Sequence, residues 1–172
     1  MKEIRIHGRG GQGVVTAAEL IAIASFKSGK EAQAFPSFGV ERTGAPIESY
    51  ARIDSKFIRT RQHIYTPDFL IVQDASLLNS IDISSGCHNK TIVIINTQKD
   101  KKEFNIKNIN PKNVYTINAT LMALDILGKN ISNTVLLGYF AKVSGLINLK
   151  GLEQAIKEKF IEKGKDIIKR IF

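Results

Sequence analysis

The run Ile6-His7-Gly8-Arg9-Gly10-Gly11-Gln12-Gly13-Val14 decides the fold. A short apolar strand signal, Ile4 to His7, leads into it, and a long helical pattern from Val14 to about Gly29 leaves it. Strand, glycine turn and helix form the layout of a phosphate or nucleotide cradle. Gly8, Gly10 and Gly13 reproduce the spacing G-x-G-x-x-G. Such glycines serve separate needs: positive φ in the turn, close approach of backbone to a ligand, and close packing of helix on strand. The first amides of the following helix have no intrahelical partner, so an anion or polar group is favoured at the loop. A tight turn packed against a neighbouring element fits the same pattern, and both readings stand at this point.

Two further marks of a dinucleotide site are weak or missing. The acidic residue that grips a ribose belongs about 20 residues on, at the end of the next strand. Glu31 is near that distance but precedes the next strand signal. No Lys-Ser or Lys-Thr follows the glycines, which argues against a P-loop.

Working outward, Val14 to Phe26 is apolar almost all round, as in a helix buried on more than one side, and Gly29 is placed to end it. Ala32 to Pro36 reads as a short strand, with a turn at Ser37-Phe38-Gly39 and an ordered loop over Val40–Pro46 that presents Glu41 and Arg42. Ile47 to Ile53 alternates, with Ile47, Ser49, Ala51 and Ile53 on one side and Glu48, Tyr50 and Arg52 on the other. Phe57 to Ile64 is expected to pair with it as a hairpin across Asp54-Ser55. Phe69–Val72 and Thr91–Ile95 are continuous apolar runs of the kind found in parallel sheets. Asp74-Ala75-Ser76 is a cap signal before a short helix at Leu77-Leu78. A short strand is expected around Phe104 to Ile106 and another over Val114–Ile117. Asn118 caps a helix that Gly128 stops. Two more apolar stripes follow, one from Ser132 and one running to Gly164. Ile167, Ile168, Ile171 and Phe172 suit a short docking helix. The whole predicts an α/β protein: a single three-layer domain over residues 1–172, with a mostly parallel sheet, helices on both faces and a Rossmann-like glycine turn after the first strand.

Length and composition set the bounds. A chain of 172 residues with 43% apolar and 24% charged residues is large enough for one packed core. One cysteine, Cys87, excludes an intrachain disulfide and a Cys-ligated iron–sulfur cluster held by this chain alone. It fits a reducing, cytoplasmic setting, as does a strand signal that begins almost at Met1. No apolar run approaches the ~18 residues of a membrane span. The net charge of +9 is spread along the chain, with lysines alternating with acids at helical spacing and no nucleic-acid motif beside them. It reads as solvated helix faces or a partner-facing surface, not as a nucleic-acid site.

Catalytic and metal constellations are missing from the spacing. His7, His63 and His88 have no partner at metal-ligand distance in sequence. Cys87 and His88 are adjacent, so their side chains diverge, and no base and orienter support a nucleophile. No catalytic residue is assigned. Gly8, Arg9, Gly10, Gly11, Gln12, Gly13 and Arg42 remain as candidate cofactor- or partner-contacting residues, with Arg9, Gln12 and Arg42 the polar groups most able to reach a ligand.

The first of these runs, together with Ala32-Gln33-Ala34-Phe35-Pro36-Ser37-Phe38-Gly39-Val40-Glu41-Arg42-Thr43-Gly44-Ala45-Pro46, resembles the gamma subunits of the 2-oxoacid:ferredoxin oxidoreductases. Pro67 to Asp74 and the helix around Asn133 to Leu152 fit as well, and the likeness is weakest over Lys99–Lys112. The His-Gly-Arg start and the Ala-Phe-Pro segment resemble the pyruvate or branched-chain type more than the 2-oxoglutarate type. The resemblance implies a complex that converts pyruvate, coenzyme A and oxidised ferredoxin to acetyl-CoA, carbon dioxide and reduced ferredoxin, or the reverse. It implies alpha, beta and delta subunits as partners, ferredoxin as the electron acceptor, and thiamine diphosphate and iron–sulfur (4Fe-4S) clusters carried by other subunits. This chain would then pack against the catalytic subunits, with Phe35-Pro36-Ser37-Phe38 and Glu41-Arg42 as contact surface, or receive part of coenzyme A at the glycine loop. An independent nucleotide-binding α/β oxidoreductase is the reading from another class, and the missing ribose acid speaks against it.

Overall fold

A computed structural model describes residues 1–37 and 42–160 of the chain. Six strands form one sheet: β1 (Lys2–Arg9), β2 (Glu31–Pro36), β3 (Pro46–Asp54), β4 (Phe69–Val72), β5 (Ile92–Asn96) and β6 (Val114–Ile117), in the order β2-β3-β1-β4-β5-β6. The helices are α1 (Val14–Lys27), α2 (Ala119–Leu127), α3 (Ser132–Ser144) and α4 (Leu149–Phe160). Strands β1, β4, β5 and β6 run parallel, and β3 turns antiparallel to both β1 and β2. β1 is therefore the strand at which the sheet changes direction, and the glycine loop leaves its carboxyl end.

The pleat sorts β1 into two faces. Ile4 and Ile6 join Phe69, Ile71 and Ile94 under α1, α3 and α4 in the larger core. Phe69 meets Phe140 of α3 edge to face, with ring centroids 5.5 Å apart. Each such fully buried side chain contributes on the order of 1.5–3 kcal/mol. The opposite face holds Leu70, Val72, Val93 and Ile95, covered by the 3-10 turn Ala75–Asn79 and by the loops that carry Ile83 and Ile109. Helix ends follow the capping residues. Asn118 accepts from the Leu121 amide at the start of α2, and Gly128 closes it in the left-handed region at φ 65°.

Two expected strands are not strands. Phe57–Ile64 does not pair as a hairpin; β3 is already held by β1 and β2, so no edge is left for a third partner. The segment instead lies against the sheet where Arg52, wholly buried, donates from Nη2 to the Gln62 carbonyl at 2.6 Å and from Nε to Glu3 at 2.8 Å. Gln33 adds a bond to the Ile58 carbonyl at 3.0 Å. Phe104–Ile106 follows a 3-10 turn, Lys101–Glu103, closed by a capping box between Asp100 and Glu103, and packs as a loop on the second face. The expected turn at Phe38-Gly39, the Val40-Glu41 part of the loop, and the end of the last stripe with the docking helix at Ile167–Phe172 lie outside the described residues.

Candidate functional site

The glycine loop is shaped by packing on three sides. A Cβ on Gly8 would stand 2.5 Å from Val14 Cγ2, which lets the helix start sit directly on the strand end. A Cβ on Gly10 would run into the Arg42 carbonyl, because Gly10 is clipped to the 42–45 loop by bonds from its amide to Ala45 O and from the Gly44 amide to its own carbonyl. Gly13 caps α1 at φ 71° with the Asn133 amide of α3 against it. Gly11, at φ 92°, has open space where a side chain would be. Three of these glycines therefore serve contacts within the fold, and Gly11 forms the open edge.

Arg9 and Gln12 are committed inside the loop. Arg9 donates from Nε to Asp74 at 3.1 Å, from Nη1 to Gly44 O and from Nη2 to Ser76 Oγ. Gln12 accepts from the Arg9 amide at 2.8 Å and donates to Asp74 at 3.1 Å. Asp74 completes the knot by capping the 3-10 turn, accepting from the Ser76 amide and hydroxyl. Burial works to raise the Asp74 carboxyl, but the Ser76 bonds, the Gln12 amide and the Arg9 charge outweigh it and hold it below the usual value. The strand-end aspartate, read from the sequence only as a helix cap, is the anchor of the glycine loop.

Beyond Gly11 opens a polar cleft of about 450 Å3. It lies outside the carboxyl ends of β1, β4 and β5, at the point where the sheet changes direction, which is where open α/β sheets bind ligands. Gln12, Gln73, Asp74, Asn96, Asn130 and Ser132 are among its walls. Asn96 braces the cleft: its amide nitrogen donates to Gln73 O and Thr120 Oγ1, and its oxygen accepts from the Thr120 amide. Gln73 is different. It is 3% exposed, and neither end of its side-chain amide has a hydrogen-bond partner among the described residues. Arg5 Nε and His7 Nε2, on the other face of β1, are also buried without a partner among the described residues, and each such group costs about 1–3 kcal/mol.

The other face of β1 carries a buried ionic line. His7 Nε2 is 3.6 Å from the Glu48 carboxylate, and Tyr50 donates to the same carboxylate at 2.7 Å. Burial, with Arg5 adding to it and Glu48 opposing, lowers the His7 pKa to about 4. Burial and then Glu48 push Tyr50 up to about 12. Arg5 reaches Ile83 O, Ser85 O and Cys87 Sγ, and burial raises the Cys87 thiol. Cys87 is thus a free, buried cysteine. No group of three or more metal-ligating side chains occurs among the described residues, and no described helix is long and apolar enough to cross a membrane.

The chain matches the pyruvate ferredoxin/flavodoxin oxidoreductase family over residues 3–171. It belongs to that family. Pyruvate synthase subunit PorC of Methanosarcina barkeri is 50% identical over 91% of this chain and 85% of its own. The common gamma subunit of the pyruvate/ketoisovalerate oxidoreductases of Pyrococcus furiosus is also 50% identical, over 93% of this chain and 87% of its own. Among solved structures, the pyruvate oxidoreductase subunit PORC of Thermotoga maritima superposes with a TM-score of 0.81 at 32% identity, covering 98% of this chain and 89% of that one. The oxidoreductase family, expected from the glycine run and its companion segment, and the α/β sheet flanked by helices, expected from the alternation of strands and helices, are borne out.

Within this family fold the expected site residues divide. Gly11 and Gln12 line the cleft; Gly8, Gly10, Gly13 and Arg9 build its rim from behind; Arg42 lies exposed on the loop that Gly10 clips. Gln73, Asn96 and the Asn130–Ser132 pair come from three separate connections, so nothing in the sequence groups them. The one available signal was Gln73-Asp74 at the end of an apolar strand: polar side chains following a buried parallel strand stand at the carboxyl end of the sheet.

Proposed function

We propose that this chain is the gamma subunit of a cytoplasmic, multi-subunit pyruvate:ferredoxin oxidoreductase, spanning residues 1–172 as one domain, and that its glycine-loop cleft contacts coenzyme A. The observation that carries the reading is 50% identity with pyruvate synthase subunit PorC over nearly the whole chain. The complex would join pyruvate, coenzyme A and oxidised ferredoxin to acetyl-CoA, carbon dioxide and reduced ferredoxin, or run in reverse. Alpha, beta and delta subunits are its partners, and they carry thiamine diphosphate and the iron–sulfur clusters. With one cysteine the chain cannot by itself supply the thiolates that ligate such a cluster, which supports placing the clusters in the partner subunits. A subunit needs a surface to dock, and α2 offers one: Leu121, Met122, Leu124 and Ile126 are exposed on one nine-residue helix.

For coenzyme A the support is the cleft itself, polar, at the strand ends and of ligand size. Arg9 and Gln12 act by holding the loop and Asp74 in place; they are positioning residues. A second reading is that the same chain also serves a branched-chain 2-oxoacid oxidoreductase, which the identity with a common pyruvate/ketoisovalerate gamma subunit supports. An affinity pull-down of the tagged chain from its own anaerobic lysate tests both. Co-elution of thiamine- and cluster-bearing subunits with pyruvate- and coenzyme A-dependent dye reduction is expected, and activity with 2-ketoisovalerate as well would establish the shared role. A chain that elutes alone and inactive would sink the assignment.

A further inference from the structure

We infer that the irregular segment 55–66 is a docking surface, and that its occupant is an acidic face of another subunit of the complex. The choice of a subunit rests on the gamma-subunit reading above. From Ser55 to Thr66 the chain carries Lys56, Arg59 and Arg61 and no carboxylate. All three cations are exposed, and none has an ion pair among the described residues. The carboxylates of the strands beneath are engaged elsewhere: Glu3 holds Arg52, Glu48 holds Tyr50 and Asp54 holds the Met1 amine. Glu31 lies opposite Asp54 in register, at the start of the segment. Arg59 and Arg61, further along, therefore present positive charge that the fold itself does not answer.

The segment is also fixed in place. Ile58 and Ile64 are buried, Gln33 holds the Ile58 carbonyl and Arg52 holds that of Gln62. Its carbonyls are drawn inward and its charged side chains are left outside, so little ordering remains to be lost on binding. Apolar surface accompanies the charge. Phe57 is 73% exposed and Tyr65 67%. A cleft of about 240 Å3 opens beside the segment, lined by Gln33, Ala34, Phe35, Arg61 and His63. Arginines and aromatic rings around an apolar recess are the make-up of a protein–protein contact. A phosphate backbone gains nothing from an apolar recess, so a protein is favoured over a nucleic acid. The surface is separate from α2. Arg52 lies between Ala51 and Ile53 of the larger core, so the segment it holds is on the other face of the sheet, at the β2–β3 edge. α2 follows β6 at the opposite edge and packs on the larger core.

Arginine labelling and charge reversal on the purified complex test the surface. Phenylglyoxal should modify Arg59 and Arg61 in the full chain alone and spare them in the complex, with mass spectrometry as the readout. Arg59→Glu with Arg61→Glu should weaken retention of the chain by the reconstituted partner subunits at least about tenfold at low salt. Lys101→Glu with Lys102→Glu makes the same change of charge at exposed positions on another turn and should leave retention unchanged. Arg59→Lys with Arg61→Lys should retain most of the binding, and carbodiimide crosslinks from the new lysines should end on Asp or Glu of a neighbouring subunit. The labelling of the unaltered complex needs no variant to fold. Equal labelling of both arginines in complex and free chain, or equal retention of the two charge-reversed variants, overturns the docking surface and leaves the subunit assignment intact. Protection that nuclease treatment removes would place a nucleic acid there and overturns it as well. A chain recovered without any thiamine- or cluster-bearing subunit removes the assignment and the docking together.

Discussion

His7 and Gly8 are neighbours on β1, yet they serve opposite faces of the sheet. Gly8 makes room for the start of α1, while His7 points into the buried line with Glu48 and Arg5. The His7 value of about 4 lies below its ordinary 6.5, so the fold favours the neutral ring. The stability this represents is present above pH 6.5 and is lost as pH falls from 6.5 through 4, amounting to about 3 kcal/mol. Urea unfolding across that window should show the loss, and His7→Gln should flatten it. At this scale the glycines were legible because a turn of this kind needs them at fixed spacing. Gln73 was not, because a buried amide awaiting a partner looks, in sequence, like any polar residue after an apolar strand.

Among the elements, the segment 57–64 shows how tertiary contacts override a local pattern. Its place just after the Asp54-Ser55 turn suggests a hairpin partner, but β3 has a neighbour on each edge. What the segment offers is carbonyl oxygen, and Arg52 takes it. An arginine on the polar side of an alternating strand is ordinarily solvated; this one is sealed, paired with Glu3 and stacked 5.0 Å over the Phe35 ring. Arg52→Ala should cost about 3 kcal/mol, since it leaves Glu3 and a set of carbonyls without their donor. Hydrogen exchange should show the loss first over residues 57–64, with the β4–β5–β6 side unchanged. The α2 helix gives the converse case. Leu124→Lys combined with Ile126→Lys touches only exposed positions, so the stability of the chain should stay within about 0.5 kcal/mol. Recovery of partner subunits in a pull-down should fall sharply if α2 is the docking face.

For the whole molecule, the parallel half of the sheet was readable from its continuous apolar strands, and the antiparallel half from the alternation of Ile47 to Ile53. Their joining at β1 was not, because strand order depends on contacts far apart in the chain. That join is what creates the cleft: the glycine loop, the end of β4 and the end of β5 converge there from residues nearly ninety positions apart. As a gamma subunit of a pyruvate oxidoreductase, the chain is proposed to be a necessary part of the complex, with its glycine-loop cleft as the proposed coenzyme A contact. The most direct measurement is an omission experiment, in which the partner subunits are reconstituted anaerobically with and without this chain. Pyruvate- and coenzyme A-dependent ferredoxin reduction is then compared. The account predicts turnover only when the chain is present. Full pyruvate- and coenzyme A-dependent ferredoxin reduction in its absence would contradict it.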